Sequence, residues 1–152
     1  MTNNGCLRRI HAILDLDEST MKSIISNMGQ QVTQEEINNL LEKEDADADA
    51  FTECTDILFG AFLDGLIIEK RGTKESAKPP EEERLKNNII LKKLRIAFDL
   101  KTEYILFILS LTECRFSKHE LSAFFRKSES NHFRVCKDHV LENLFESLQI
   151  IN

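Results

Sequence analysis

The sequence contains few of the residues that interrupt regular structure: five glycines and two prolines among 152 residues, and no tryptophan. Helix-forming Leu, Ile, Glu and Lys are abundant instead. No apolar run reaches the roughly 18 residues that a membrane-spanning helix needs, and the N-terminus lacks the layout of a signal peptide. We therefore expect an all-α, cytosolic protein.

Sequence signatures of catalysis are also missing. There is no glycine-rich phosphate loop, no Gly-x-Ser-x-Gly turn and no His-Glu-x-x-His motif. The cysteines form no Cys-x-x-Cys pair, and in a cytosolic chain they predict reduced, mostly buried thiols without disulfides; they are Cys6, Cys54, Cys114 and Cys136. We accordingly expect neither an enzyme nor a bound cofactor.

The net charge of −6 is unevenly distributed. Residues 1–72 carry 6 basic and 14 acidic side chains, whereas residues 87–152 carry 10 and 8. The negative net charge disfavours general affinity for nucleic acid, although the second half could still present a local basic face.

A repeat dominates the chain. "NNGCLRRIHAILDL" begins at Asn3 and "NNIILKKLRIAFDL" at Asn87, an offset of 84 (87 minus 3). The match continues from "VTQEEINNLL" to "FSKHELSAFF", and after a two-residue shortening Cys54 falls on Cys136 at an offset of 82 (136 minus 54). The chain is therefore a tandem duplication of a unit of about 65 residues.

A segment without periodicity separates the two copies. "RGTKESAKPPEEERLK", residues 71–86, holds both prolines and balanced charges, which predicts an exposed linker. We predict a first helical repeat in residues 1–70 and a second in residues 87–152.

The spacing of apolar residues in each copy predicts four helices, about eight in all. The middle two helices of each copy resemble a helix-turn-helix. The second helix begins near the N-cap Asp17 and stops at Gly29. The third begins at a capping box, Thr33-x-x-Glu36 or Ser117-x-x-Glu120, and the fourth begins near residue 53. The predicted buried positions are Leu7, Ile10, Leu14, Leu91, Leu94 and Phe98 on the first helices, Met21, Ile24, Ile25 and Met28 on the second, Ile37, Leu40, Leu41, Leu121, Phe124 and Phe125 on the third, and Ile57, Leu58, Ala61, Phe62, Val140, Leu141, Leu144 and Phe145 on the fourth.

Three stretches carry a family resemblance. "NNIILKKLRIAFDL", "ELSAFFRK" and the Cys-x-Asp of "CKD" resemble the YehS-like family of bacterial proteins, a duplicated domain of unknown function. The resemblance covers essentially the whole chain. It implies a small cytosolic protein built from the duplicated unit, without an established activity, cofactor or catalytic residue.

An acidic loop in the first copy is a weak calcium candidate. Asp45, Asp47 and Asp49 alternate as the ligands of an EF-hand loop do. However, Ala50 stands in place of the sharp-turn glycine, and the matching loop of the second copy keeps none of these carboxylates. We favour a solvated acidic turn.

Cysteine and histidine side chains cluster in the second copy, at Cys114, His119, His132, Cys136 and His139. Their spacing is poor for zinc, because Cys136 and His139 are predicted to face the packing of the fourth helix while His119 faces solvent. We expect no metal there.

The third helix of the second copy has a basic solvent face. Its residues are Lys118, His119, Ser122, Arg126 and Lys127. The corresponding face of the first copy is Gln34, Glu35, Asn38, Asn39 and Glu42, which would repel phosphate groups. Any nucleic-acid contact is therefore expected from the second copy.

The second helices differ most informatively. Thr20, Lys22, Ser23 and Asn27 of the first copy are replaced in the second by Tyr104, Leu106, Phe107 and Leu111. A helix that is apolar nearly all round must be buried on more than one side, either at the junction of the repeats or in a contact with a partner protein or a second copy. We therefore expect a non-enzymatic binding or adaptor module; a nucleic-acid-binding regulator is the alternative.

Overall fold

The computed structural model describes residues 1–42, 52–72 and 85–151. These residues form eight α-helices and no strand, and the chain divides into two compact units, Met1–Arg84 and Leu85–Asn152. The first unit contains α1 (Asn3–Leu14), α2 (Glu18–Ser26), α3 (Gln34–Leu41) and α4 (Asp56–Arg71). The second unit contains α5 (Asn87–Ala97), α6 (Thr102–Ser110), α7 (Lys118–Ala123) and α8 (Asp138–Ile151). The all-α, duplicated fold is thus confirmed.

Each unit encloses its own core. In the first, α2 packs against α3 and α4, and α1 contacts the same two helices; in the second, α6 packs against α7 and α8, and α5 contacts α8. Across the described ranges, every helix is too short or too polar to cross a membrane.

The predicted start signals of the second and third helices are confirmed. Thr33 Oγ1 accepts a 3.1 Å hydrogen bond from the backbone N–H of Glu36, and Ser117 Oγ accepts one of 3.0 Å from Glu120. Each glutamate carboxylate in turn accepts a hydrogen bond from the backbone N–H of its capping residue, so both capping boxes are confirmed. Asp17 caps α2 by accepting a 2.7 Å hydrogen bond from the backbone N–H of Thr20, and hydrogen bonds from the Thr20 side chain and backbone lower the pKa of the Asp17 carboxyl.

The prediction for the inner face of the first helices was partly wrong. Leu7 and Ile10 are buried as predicted, but the third buried side chain is Ile13, whereas Leu14 is only half-buried. The same holds in α5, where Ala97 replaces the predicted Phe98. Both misplaced residues lie where the helix ends, so the chain leaves the helical path before they can turn inward.

The predicted start of the fourth helix was also wrong by a few residues. Thr55 is the N-cap, its hydroxyl accepting from the N–H of Leu58 at 3.1 Å, so α4 begins at Asp56. Ile57 was predicted to be buried but is 60% exposed, and the first fully buried side chain of α4 is Phe59. The corresponding prediction for α8 is confirmed, since all four of its residues are buried: Val140, Leu141, Leu144 and Phe145.

The asparagine pair at the start of each repeat has a structural role that the sequence did not reveal. The buried Asn4 side chain donates to the carbonyl oxygens of Leu40 at 3.0 Å and Thr52 at 2.8 Å, and accepts from the N–H of Cys54 at 2.8 Å. Asn3 donates to the Cys54 carbonyl at 3.1 Å and to Asp56 Oδ1 at 2.8 Å. Together they fasten the end of α3 and the segment before α4 to the first helix.

The second unit repeats this arrangement. Asn88 donates to the carbonyl oxygens of Phe124 at 3.0 Å and Arg134 at 2.8 Å, and accepts from the N–H of Cys136 at 2.9 Å. Asn87 donates to the Cys136 carbonyl and to Asp138, as Asn3 does to Cys54 and Asp56. We call each set the asparagine latch. An amide whose donors and acceptor are all bonded in this way, buried at Asn4 and half-buried at Asn88, stabilises one conformation of a segment that has no regular structure of its own.

Gly65 sets the closeness of two helices in the first unit. A Cβ atom at this position would lie 2.3 Å from the backbone oxygen of Ile24 in α2. The equivalent residue of the second unit is Ser147, which is fully buried and donates its hydroxyl to the Asn143 carbonyl at 2.7 Å. The α2–α4 contact therefore depends on the absence of a side chain, whereas the α6–α8 contact accommodates one.

Candidate interaction surfaces

One side of α6 is built into the core of the second unit, and the other carries exposed apolar groups. Ile105, Ile108 and Leu109 are buried. Tyr104 is 43% exposed, Phe107 is 56% exposed, and Leu111, the C-cap, is 43% exposed. We call these three residues the α6 face. In the single chain these three side chains are left uncovered, and Leu106, the fourth residue named from the sequence, is half-buried.

The spacing of the α6 face places its side chains together. Steps of three and four residues bring Tyr104, Phe107 and Leu111 to one side of the helix. The Tyr104 and Phe107 rings lie 6.3 Å apart between centroids, with their planes tilted by 33°. Large apolar groups that meet in this way on a protein surface are typical of contact sites.

The first unit provides a direct comparison. At the positions equivalent to the α6 face, α2 carries Thr20, Ser23 and Asn27, none of them apolar. The buried side is the same in both units, with Met21, Ile24 and Ile25 inward in α2. The first unit therefore has the same helical arrangement without an apolar outer face on its second helix.

Charged groups border the α6 face. Glu103 lies beside Tyr104, and its carboxylate is 3.1 Å from the ammonium of Lys118 at the start of α7. A backbone hydrogen bond and this lysine lower the pKa of the Glu103 carboxyl. At the N-terminal end, the ammonium of Lys101 is 3.4 Å from the carboxylate of Asp99. An apolar centre with a charged rim is the composition of many protein interfaces.

The basic residues named from the sequence lie in two places. Lys118, His119 and Ser122 are on α7, but α7 ends at Ala123, so Arg126 and Lys127 follow the helix rather than extend its face. All of them except Ser122 are exposed. The prediction of one helical basic face is therefore wrong, because the helix ends before it reaches Arg126 and Lys127.

Acidic side chains accompany the basic ones. Lys118 pairs with Glu103, and Arg134 lies 3.2 Å from the carboxylate of Glu120. The Arg134 guanidinium also lies over the Phe116 and Phe124 rings, at 5.8 and 5.7 Å from their centroids. These contacts reduce the positive charge that this side of the second unit presents to a phosphate backbone.

The cysteine and histidine cluster of the second copy does not assemble a metal site. Within residues 1–42, 52–72 and 85–151, no three His, Cys, Asp or Glu side chains converge as metal ligands would. Cys136 and its equivalent Cys54 are buried as expected, and burial raises the pKa of each thiol to about 12, with Asp138 or Asp56 adding to the effect. Neither thiol is ionised at neutral pH.

The calcium candidate Asp45, Asp47 and Asp49 lies outside the described residues.

A hollow of about 520 Å³ opens on the first unit between the end of α2 and the start of α3. Lys22, Thr33 and Glu36 contribute to its lining. Thr33 and Glu36 are engaged by each other in the capping box, so these polar groups already serve the start of α3.

Comparisons with known proteins agree with the repeat. A family model described as protein of unknown function (DUF1456) matches the chain twice, at residues 3–72 and 87–152. The uncharacterised protein YehS of Escherichia coli (strain K12) is 42% identical over 149 residues, which cover 97% of this chain and 94% of that protein. No solved structure matches.

Proposed function

We propose that this chain, which belongs to the DUF1456 family of proteins of unknown function, is a non-enzymatic binding module that contacts another protein through the α6 face. The single observation that carries the proposal is the exposure of Tyr104, Phe107 and Leu111 side by side on one helix. Transfer of this apolar area from water into a protein contact would be favourable.

The comparison of the two units supports a contact role over a packing role. Ser23 is exposed in α2, and Phe107 is exposed at the same position in α6. A fold that needs only a solvated residue there gains nothing from a phenylalanine. An exposed cluster of this kind is also a liability for aggregation unless a partner covers it.

The described polar groups support a non-enzymatic role, because many of them are occupied in holding the fold. Thr33 and Glu36 cap a helix, the asparagine latches are fully engaged, and burial suppresses the reactivity of Cys54 and Cys136. We also propose a cytoplasmic location, which four free, buried cysteines support.

A nucleic-acid-binding regulator is the second candidate. It is favoured by one observation, the exposure of the adjacent Arg126 and Lys127 after α7. The pairing of Lys118 with Glu103 and of Arg134 with Glu120 favours the protein-binding function instead.

Affinity capture from a lysate of the native cells, followed by mass spectrometry, tests the proposal. The bait is compared with a variant that carries the residues of the first repeat on the α6 face, Tyr104→Thr with Phe107→Ser and Leu111→Asn. Val135→Glu is the matched control, since Val135 is a 63% exposed apolar residue outside α6, in the segment before α8, and its equivalent in the first repeat is Glu53. We expect a captured protein that the triple variant loses and the control keeps. Capture that is identical for all three baits would contradict the proposal.

A further inference from the structure

We infer that the protein that covers the α6 face is a second copy of this chain, with the two α6 helices side by side and antiparallel. The inference rests on the proposed function, because it names the partner of the same surface. Its basis is the distribution of charge at the two ends of α6.

The charges at the ends of α6 are self-complementary. Asp99 and Lys101 precede the helix, and Glu113 and Arg115 follow it; all four residues are exposed. In an antiparallel pair, Lys101 of one copy lies against Glu113 of the other, and Asp99 lies against Arg115. In a parallel pair, each charged residue would instead face the same residue of the second copy, so like charges would meet. Opposite charges across a contact fix its orientation, and a two-fold axis makes both ends of the pair equivalent.

The apolar residues suit the same arrangement. The steps from Tyr104 to Phe107 and from Phe107 to Leu111 are the three and four residues of a narrow helix-pairing seam. With the two-fold axis near Phe107, Tyr104 meets Leu111 of the second copy, and the Phe107 rings lie close to each other.

The first unit lacks this pattern. The residues equivalent to the four end charges are Asp15, Asp17, Gly29 and Gln31. Two negative charges at one end and none at the other cannot pair with themselves in either orientation. Charge self-complementarity and the exposed apolar seam therefore occur together on α6 and are both missing from α2.

The size of the contact sets its strength. A pair of helices as short as Thr102–Ser110 covers less surface than the roughly 1,200–2,000 Å² of a stable interface. We therefore expect a reversible dimer whose population rises with protein concentration.

Sedimentation equilibrium of the full chain over a wide concentration range tests this inference. Phe107→Ser with Leu111→Asn, which copies the first repeat, should remove the dimer, and Val135→Glu should leave it unchanged. Lys101→Glu and Glu113→Lys should each weaken it by about tenfold, and the double charge exchange should restore it. The exchange at Lys101 should have little effect on folding, because the Lys101–Asp99 pair that it alters is exposed. Circular dichroism of each variant checks this.

Two results would overturn the inference: a wild-type chain that stays monomeric at every concentration, or a dimer that the double charge exchange fails to restore. Affinity capture separates this failure from that of the proposed function. If the wild-type chain is monomeric but still captures a protein that the α6 variant loses, the second copy is the wrong partner and the surface is the right one. If capture is also insensitive to the variant, both fail.

Discussion

The side-chain oxygen of Asn4 accepts a 2.8 Å hydrogen bond from the backbone N–H of Cys54, and Asn88 repeats this bond with Cys136 at 2.9 Å. The partners are 50 and 48 positions apart in the sequence. The asparagines that open both repeats are therefore structural, since they hold in place the segment before each fourth helix.

Replacing Asn4 with aspartate should destabilise the first unit. Asn4→Asp removes two donated bonds and sets a carboxylate against the carbonyl oxygens of Leu40 and Thr52, which we expect to cost about 3 kcal/mol. Urea unfolding followed by circular dichroism measures the loss. Asn38→Asp is the control, because it makes the same chemical change at an exposed site of α3 and should cost about 0.5 kcal/mol or less. Equal losses for the two variants would refute the latch.

Gly65→Ala should destabilise the first unit by about 2 kcal/mol, because the added methyl group would clash with the backbone oxygen of Ile24. Ser147→Ala in the second unit is the matched change, and it should cost about 1 kcal/mol, the value of one hydroxyl hydrogen bond. Thermal unfolding compares the two. A stabilising Gly65→Ala, as helix propensity alone would give, would show that the two helices do not approach so closely.

The buried thiols predict a loss of stability in alkali. Burial raises the pKa of Cys54 to about 12, whereas an unfolded thiol ionises near pH 8.5. The folded state therefore binds the proton more strongly. The protonated thiol contributes fully to the free energy of unfolding below about pH 8.5, and this contribution is lost as the pH rises toward 12. Urea midpoints measured across this range should fall less steeply for Cys54→Ala than for the wild type; parallel curves would mean that the thiol is not protected.

Nucleic-acid binding should be weak and should not depend on the residues after α7. The net charge of −6 and the carboxylates beside Lys118 and Arg134 oppose phosphate contacts. In gel shifts at two salt concentrations, we expect Arg126→Ala with Lys127→Ala to behave as the wild type does. Affinity that falls steeply with salt and disappears in this double variant would favour the regulator instead.

Features set by neighbouring residues were predictable from the sequence. The capping boxes at Thr33 and Ser117 depend on a partner three positions away, and both were identified. The asparagine latch was missed because its bonds join residues 36 to 53 positions apart, and no periodicity marks them. Ile57 was placed inward although it lies two residues before the buried Phe59, a step that puts the two side chains on nearly opposite sides of α4.

The α6 face was found by comparison of the repeats rather than by any motif. The sequence identified the apolar positions but could not show which were covered, because exposure depends on how α6 packs against α7 and α8. Leu106 is half-buried, while Phe107 beside it is mostly exposed. The short α7 was likewise unpredictable from the pattern, since the basic run continues past the residue at which the helix ends.

The central claim is that the α6 face is covered by a second copy, and the fluorescence of Tyr104 tests it most directly. Tyr104 is the single tyrosine of a chain without tryptophan, so the intrinsic emission reports on this face alone. Acrylamide quenching is measured as the protein concentration rises, with Phe107→Ser as the control. We predict that quenching of the wild type decreases with concentration while that of the variant stays high. Quenching that is independent of concentration and equal in both proteins would contradict the claim.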